Sequence, residues 1–212
     1  MTTFKNFALR IGALAAIAIP AFAHAQTDAI DLTTLGSVYQ DGDGWSLGYQ
    51  FTTGASPINV TALGYFDNGA AFNLTENHVV GIFNSSGVLL MSANVNYDEG
   101  LFQSNYFGYT NGIAGPTQLA ANSTYYVAGS SGFVDPYQYD GTFVTGSDIT
   151  FVQNQYVGGN SLNFPIYTEG GIGDGFLGGT FQYQAVPEPA PFAVCGLGLI
   201  GLIARRKRAA RG

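Results

Sequence analysis

The chain has 212 residues, with 14 acidic and 7 basic side chains and a formal net charge of −7. Its seven basic residues, Lys5, Arg10, Arg205, Arg206, Lys207, Arg208 and Arg211, all lie at the two ends, while every acidic residue lies between Gln26 and Pro189. A body with no lysine or arginine cannot neutralise phosphates, which excludes nucleic acid as a partner and disfavours anionic lipid surfaces.

At the N-terminus, Lys5 and Arg10 precede the apolar stretch Ile11 to Ile19. Ala23-His24-Ala25 then offers small residues where a signal peptidase reads them. Residues 1–25 are therefore expected to be a secretory signal peptide, with Gln26 as the first mature residue. No Arg-Arg pair precedes the apolar run, which points to the general secretory route.

Next comes "DGDG", Asp41 to Gly44, beside Trp45. Asp41 and Asp43 are the candidate calcium ligands, since carboxylates on a loop suit a hard cation. The loop lacks the closing Glu of an EF-hand, and a plain turn is the competing reading. No other cofactor is expected.

From here Gly, Asn, Ser and Thr recur at short intervals between runs rich in Val, Ile, Tyr, Phe and Thr, and no segment keeps a helical period. Strands are predicted near Trp45 to Thr53, Ile58 to Phe66, His78 to Asn84, Val88 to Val95, Phe102 to Thr110, Thr124 to Ala128, Asp148 to Val152 and Thr180 to Gln184. Eight strands at that spacing predict an all-β, antiparallel β-sandwich over residues 26–185. Asn84-Ser85-Ser86-Gly87 is expected to close a hairpin, and the ambiguous faces of "INVTALGYF" suit a strand covered on both sides.

His78 is the only histidine after residue 25, and Cys195, the single cysteine, falls in the C-terminal tail. The body therefore has no disulfide. His78 is expected to be a half-exposed sheet residue, because no metal or nucleophile motif surrounds it.

Residues Ser130 to Gly179 read as loop-rich but part of the same domain. Within them "VDPYQYDG" is the best binding candidate: Asp135 and Asp140 bracket Tyr137 and Tyr139. Rings on one side of an extended segment, with acidic acceptors and with Trp45 as a further aromatic, suit sugars, which present apolar C–H faces and many hydroxyl donors. Tyrosines covering a sheet edge are the competing reading. "GGIGDGFLGG", Gly170 to Gly179, is a single copy and builds no stacked calcium-binding repeat. Paired carboxylates for glycoside hydrolysis are not selected by spacing, so no catalytic residue is assigned.

The chain closes on Pro187-Glu188-Pro189, the uncharged run Ala190 to Ala204, and the basic tail Arg205, Arg206, Lys207, Arg208. As a helix those fifteen residues reach about 22 Å, a marginal transmembrane span with its basic flank in the cytoplasm.

These residues resemble the PEP-CTERM sorting signal of Gram-negative bacteria. The resemblance implies that residues 186–212 are read by a membrane-embedded exosortase-type enzyme. It implies a transient inner-membrane anchor through residues 190–204, then delivery to the cell surface or the exopolysaccharide matrix of a biofilm. The stretches "WSLGYQFTT", "VTALGYFD", "HVVGIFNSSGVLL" and "LAANSTYYVAG" also resemble an uncharacterised bacterial surface β-sandwich family, which implies a jelly-roll type of fold and brings no catalytic residues.

The resulting expectation is a secreted, non-enzymatic surface or matrix protein that contacts carbohydrate. The alternatives are a secreted polysaccharide-acting hydrolase and a calcium-dependent adhesion module.

Overall fold

The computed structural model describes residues 25–40, 42–68, 74–96, 102–115, 117–170 and 175–186. Among them every paired strand is antiparallel and no helix occurs.

One six-stranded sheet runs β1 (Thr27–Asp28), β17 (Gly179–Ala185), β5 (Ile58–Phe66), β9 (Phe107–Thr110) and β8 (Phe102–Ser104), with β10 (Gln118–Leu119) also paired to β5. The other runs β15 (Tyr167–Glu169), β14 (Ile149–Gly158), β4 (Trp45–Thr53), β11 (Thr124–Ser130), β6 (His78–Asn84) and β7 (Leu89–Val95). A three-stranded sheet joins β16 (Phe176–Leu177), β12 (Tyr137–Tyr139) and β3 (Ser37–Tyr39), and β13 (Thr142–Thr145) pairs with β2 (Ile30–Thr34).

The two large sheets share one core. Phe51 of β4 and Phe181 of β17 meet with ring centroids 4.8 Å apart, and the Tyr49 hydroxyl lies 3.2 Å from Thr180 Oγ1. Burying each such ring removes enough apolar surface from water to contribute about 1.5–3 kcal/mol. Where β11 crosses β17 the backbones nearly touch: a Cβ on Gly179 would lie 2.4 Å from the Gly129 nitrogen, so both positions need glycine. The pairing of Thr27 with Tyr183 brings the two ends of the described chain side by side.

Three predicted strands, Trp45–Thr53, Ile58–Phe66 and His78–Asn84, have the observed limits. The hairpin also forms as expected: Gly87 has φ +78°, and Asn84 Oδ1 accepts the amides of Ser86 and Val88, each at 3.0 Å. The run predicted from Phe102 to Thr110 is instead two strands, because Asn105 takes a left-handed conformation (φ 52°) and turns the chain. Ser130 to Gly179 holds more strand than expected, beside extended loops. It carries β12 to β16, and β14 pairs along the whole of β4.

Candidate functional site: an aromatic cleft

Alternation along β4 sends Trp45, Leu47, Tyr49 and Phe51 to one face of the large sheet. Tyr49 and Phe51 are fully buried in the core, whereas Trp45 carries the same face to the end of the sheet and is half-buried. The neighbouring β14 has a bulge between Phe151 and Gln153. Before it Phe151 lies opposite Phe51; beyond it Asn154 lies opposite Tyr49, and Tyr156 opposite Leu47. The extra residue changes which side chains share the face of Trp45, and Tyr156 is turned to that face.

The three-stranded sheet supplies the facing wall. Tyr137 and Tyr139 are two apart on β12 and share one side. Tyr137 lies nearly parallel to Tyr39 at 6.2 Å and edge-on to Phe176 at 5.8 Å; Tyr139 lies 4.6 Å from Phe176. Between the walls is a cavity of about 250 Å³ lined by Trp45, Leu47, Tyr137, Tyr156, Glu169 and Phe176. Tyr39 and Tyr167, both exposed, extend the aromatic surface, and Tyr167 packs on Tyr156 at 5.6 Å.

Of the residues expected to bind, the structure therefore brings Trp45 and Tyr137 into one cleft and sets Tyr139 against its wall. The carboxylate there is Glu169, not one of the two that flank the tyrosines in sequence. Asp140 is exposed at φ 61°, where its Oδ1 accepts the Gly175 amide at 3.3 Å. Asp43 is exposed, and Asp41 lies outside the described residues. Among the described residues no three His, Cys, Asp or Glu side chains cluster as metal ligands.

Asp135 has a different position and is buried beside His78. His78 is completely buried rather than half-exposed, and it lies flat on Tyr65 with ring centroids 3.8 Å apart and planes 5° from parallel. Nδ1 lies 2.8 Å from the Ser130 carbonyl, which can only accept, so Nδ1 carries a hydrogen. Nε2 lies 2.8 Å from Asp135 Oδ2. The same carboxylate accepts the amides of Thr75 and Glu76 at 2.6 and 2.8 Å and the Thr75 hydroxyl at 2.7 Å.

Burial alone would raise the Asp135 carboxyl. The hydrogen bonds from His78, from the Glu76 amide and from Thr75 outweigh it and hold the group below its ordinary value. In return, Glu76 Oε2 accepts the amides of Phe133, Val134 and Asp135, so each acid caps the segment bearing the other. With no lysine or arginine in the body, backbone amides and His78 satisfy these charges.

Sequence spacing did not reveal Tyr156, Phe176 and Glu169. The polar run Gln153-Asn154-Gln155 conceals the continuation of β14. The available signal was the three-residue gap between Phe151 and Asn154 in the inward pattern, which marks a bulge.

Residues 185–208 match the PEP-CTERM protein-sorting motif. That motif implies a secreted protein that passes through the membrane and is processed by an exosortase at the surface of a Gram-negative cell. Its residues, including Pro187, Glu188, Pro189 and the basic tail, lie outside the described structure apart from Ala185 and Val186. So do the expected signal peptide up to residue 24 and the expected spanning helix 190–204. No match was found among the curated proteins or among the solved structures.

Proposed function

We propose that the protein is a non-enzymatic component of the cell surface or exopolysaccharide matrix, a β-sandwich of jelly-roll type that holds polysaccharide in its aromatic cleft. In this reading residues 1–25 leave with the signal peptidase, residues 26–185 form the extracellular domain, and residues 186–212 are the sorting signal.

The observation that carries the reading is the convergence of Trp45, Tyr137, Tyr156 and Phe176 on one cavity, with exposed Tyr39 and Tyr167 beside it. Aromatic faces match the C–H faces of sugars, and binding there requires no cation. A non-catalytic role is favoured by the lining: among the described residues that form the cleft, Glu169 is the one carboxylate, whereas glycoside hydrolysis by the usual route needs two.

The test is a glycan array probed with the protein released from the cell surface. Saturable binding of oligosaccharides that are recovered uncleaved supports the reading. Absence of binding, or turnover of the bound glycan, overturns it.

A further inference from the structure

The rings around the cleft do not form a flat platform. Trp45 is inclined 62° to Tyr156, Tyr156 70° to Phe176, and Phe176 75° to Tyr137, with neighbouring centroids 5.7–6.2 Å apart. Successive rings set steeply against one another around a hollow make the walls of a box, with Leu47 contributing an aliphatic surface. The cavity, about 250 Å³, is smaller than the roughly 300–1,000 Å³ of pockets that take drug-sized ligands. It suits one compact head group.

Electrostatics select the sign of that group. Glu169 is half-buried at the cavity, and no described residue hydrogen-bonds its carboxylate. From Gln26 to Pro189 there is no lysine or arginine to pair with it, and His78 is buried in its own network. A carboxylate beside four aromatic rings, whose π systems carry a negative quadrupole, favours a cation and repels an acidic sugar. A primary ammonium brings three N–H donors and finds one carboxylate. A quaternary ammonium brings no donors and a shell of methyl groups over which its charge is spread, and such groups pack against rings.

We infer that the cleft is an aromatic cage for a quaternary ammonium head group of the choline type, with Trp45, Tyr137, Tyr156 and Phe176 as its walls and Glu169 as its counter-charge. The inference rests on the cleft being a ligand site, as proposed above, and it names the chemistry that the site selects. The head group can be carried by a substituted glycan or by a lipid.

Trp45 is the sole tryptophan of the chain and reports directly from the cage. The surface-released protein is titrated with choline chloride, with its neutral isostere 3,3-dimethylbutan-1-ol and with glucosamine, at constant ionic strength. Choline should change Trp45 emission saturably, and the isostere and glucosamine should each bind at least about tenfold more weakly. Glu169→Gln, with an unchanged melting temperature, should weaken choline by about tenfold and leave the isostere unaffected. Equal affinity for choline and its isostere, tighter binding of glucosamine, or no saturable response to choline overturns the cage.

Two further arms distinguish the carrier: retention on phosphocholine-agarose without cosedimentation with phosphatidylcholine vesicles indicates a glycan or soluble carrier, and cosedimentation indicates lipid. Neutral oligosaccharide binding without a choline response refutes the cage and leaves the proposed function standing. A choline response without any glycan binding does the reverse.

Discussion

His78 Nε2 lies 2.8 Å from Asp135 Oδ2, with both side chains withdrawn from water. In a body without lysine or arginine, His78 is the only side chain that can answer a buried carboxylate with a positive charge. The His78 ring links strands β6 and β11 to the segment leading into β12. Removing either partner leaves polar groups buried without compensation. His78→Ala and Asp135→Ala should therefore each lower stability by about 3–5 kcal/mol, read from urea midpoints. The double variant should cost less than the sum, because the two losses are of one interaction.

Acid should expose the same network. The folded-state value of Asp135 is depressed, so its contribution is present above the ordinary carboxylate value near 3.8 and is lost as pH falls through the lower folded value. Urea midpoints between pH 7 and pH 2 should be nearly level to about pH 4 and then fall. In Asp135→Asn the part of the fall due to this group should disappear. An unchanged acid limb in that variant contradicts the assignment.

Alkali acts with the opposite sign. Burial, opposed by the Asp148 amide that donates to the hydroxyl, pushes the Tyr183 phenol up to about 12. Burial also holds Tyr49 and Tyr109 well above their ordinary value. A raised folded value means that stability is complete below the ordinary phenol range near 10 and is lost as pH rises toward the folded values. Phenolate absorbance should therefore show a slow fraction that ionises only together with loss of the fold. Rapid ionisation of every tyrosine near pH 10 contradicts this.

Trypsin tests processing at both ends. From Gln26 to Pro189 there is no site for it, so the matured protein should resist trypsin even in urea, where chymotrypsin cuts freely. If Arg205 to Arg208 leave with the tail, as the proposed sorting requires, protein from the surface should show no mass loss at its C-terminus. Alanine at Pro187, Glu188 and Pro189 together should leave the protein membrane-retained with its tail attached.

Strands with clean punctuation were legible in the sequence. The limits of β4, β5 and β6 follow from β-rich runs bounded by Gly, Ser, Asn and Pro, and the turn at Gly87 follows from its need for positive φ. Short strands such as β2, β3 and β12 were not legible, because two to five residues carry too little alternation to stand out. The cleft was half legible for the same kind of reason. Trp45 and Tyr137 announce themselves as large rings beside turn residues. Glu169 reaches them only because β15 pairs with β14, and β14 with β4, the latter a relation between segments distant in the chain. The burial of His78 is not legible in the sequence, because strand position alone does not indicate that a carboxylate from 57 residues away closes over it.

The proposed function requires that the cleft hold polysaccharide. The direct measurement is migration of the surface-released protein through native gels cast with the extracellular polysaccharide of the producing cells, comparing wild type with Trp45→Ala/Tyr156→Ala. The wild type should be retarded as polysaccharide is added. The double variant, still folded by its circular dichroism, should bind at least about tenfold more weakly. Equal retardation of the two proteins, or retardation of neither, would contradict polysaccharide binding in the cleft.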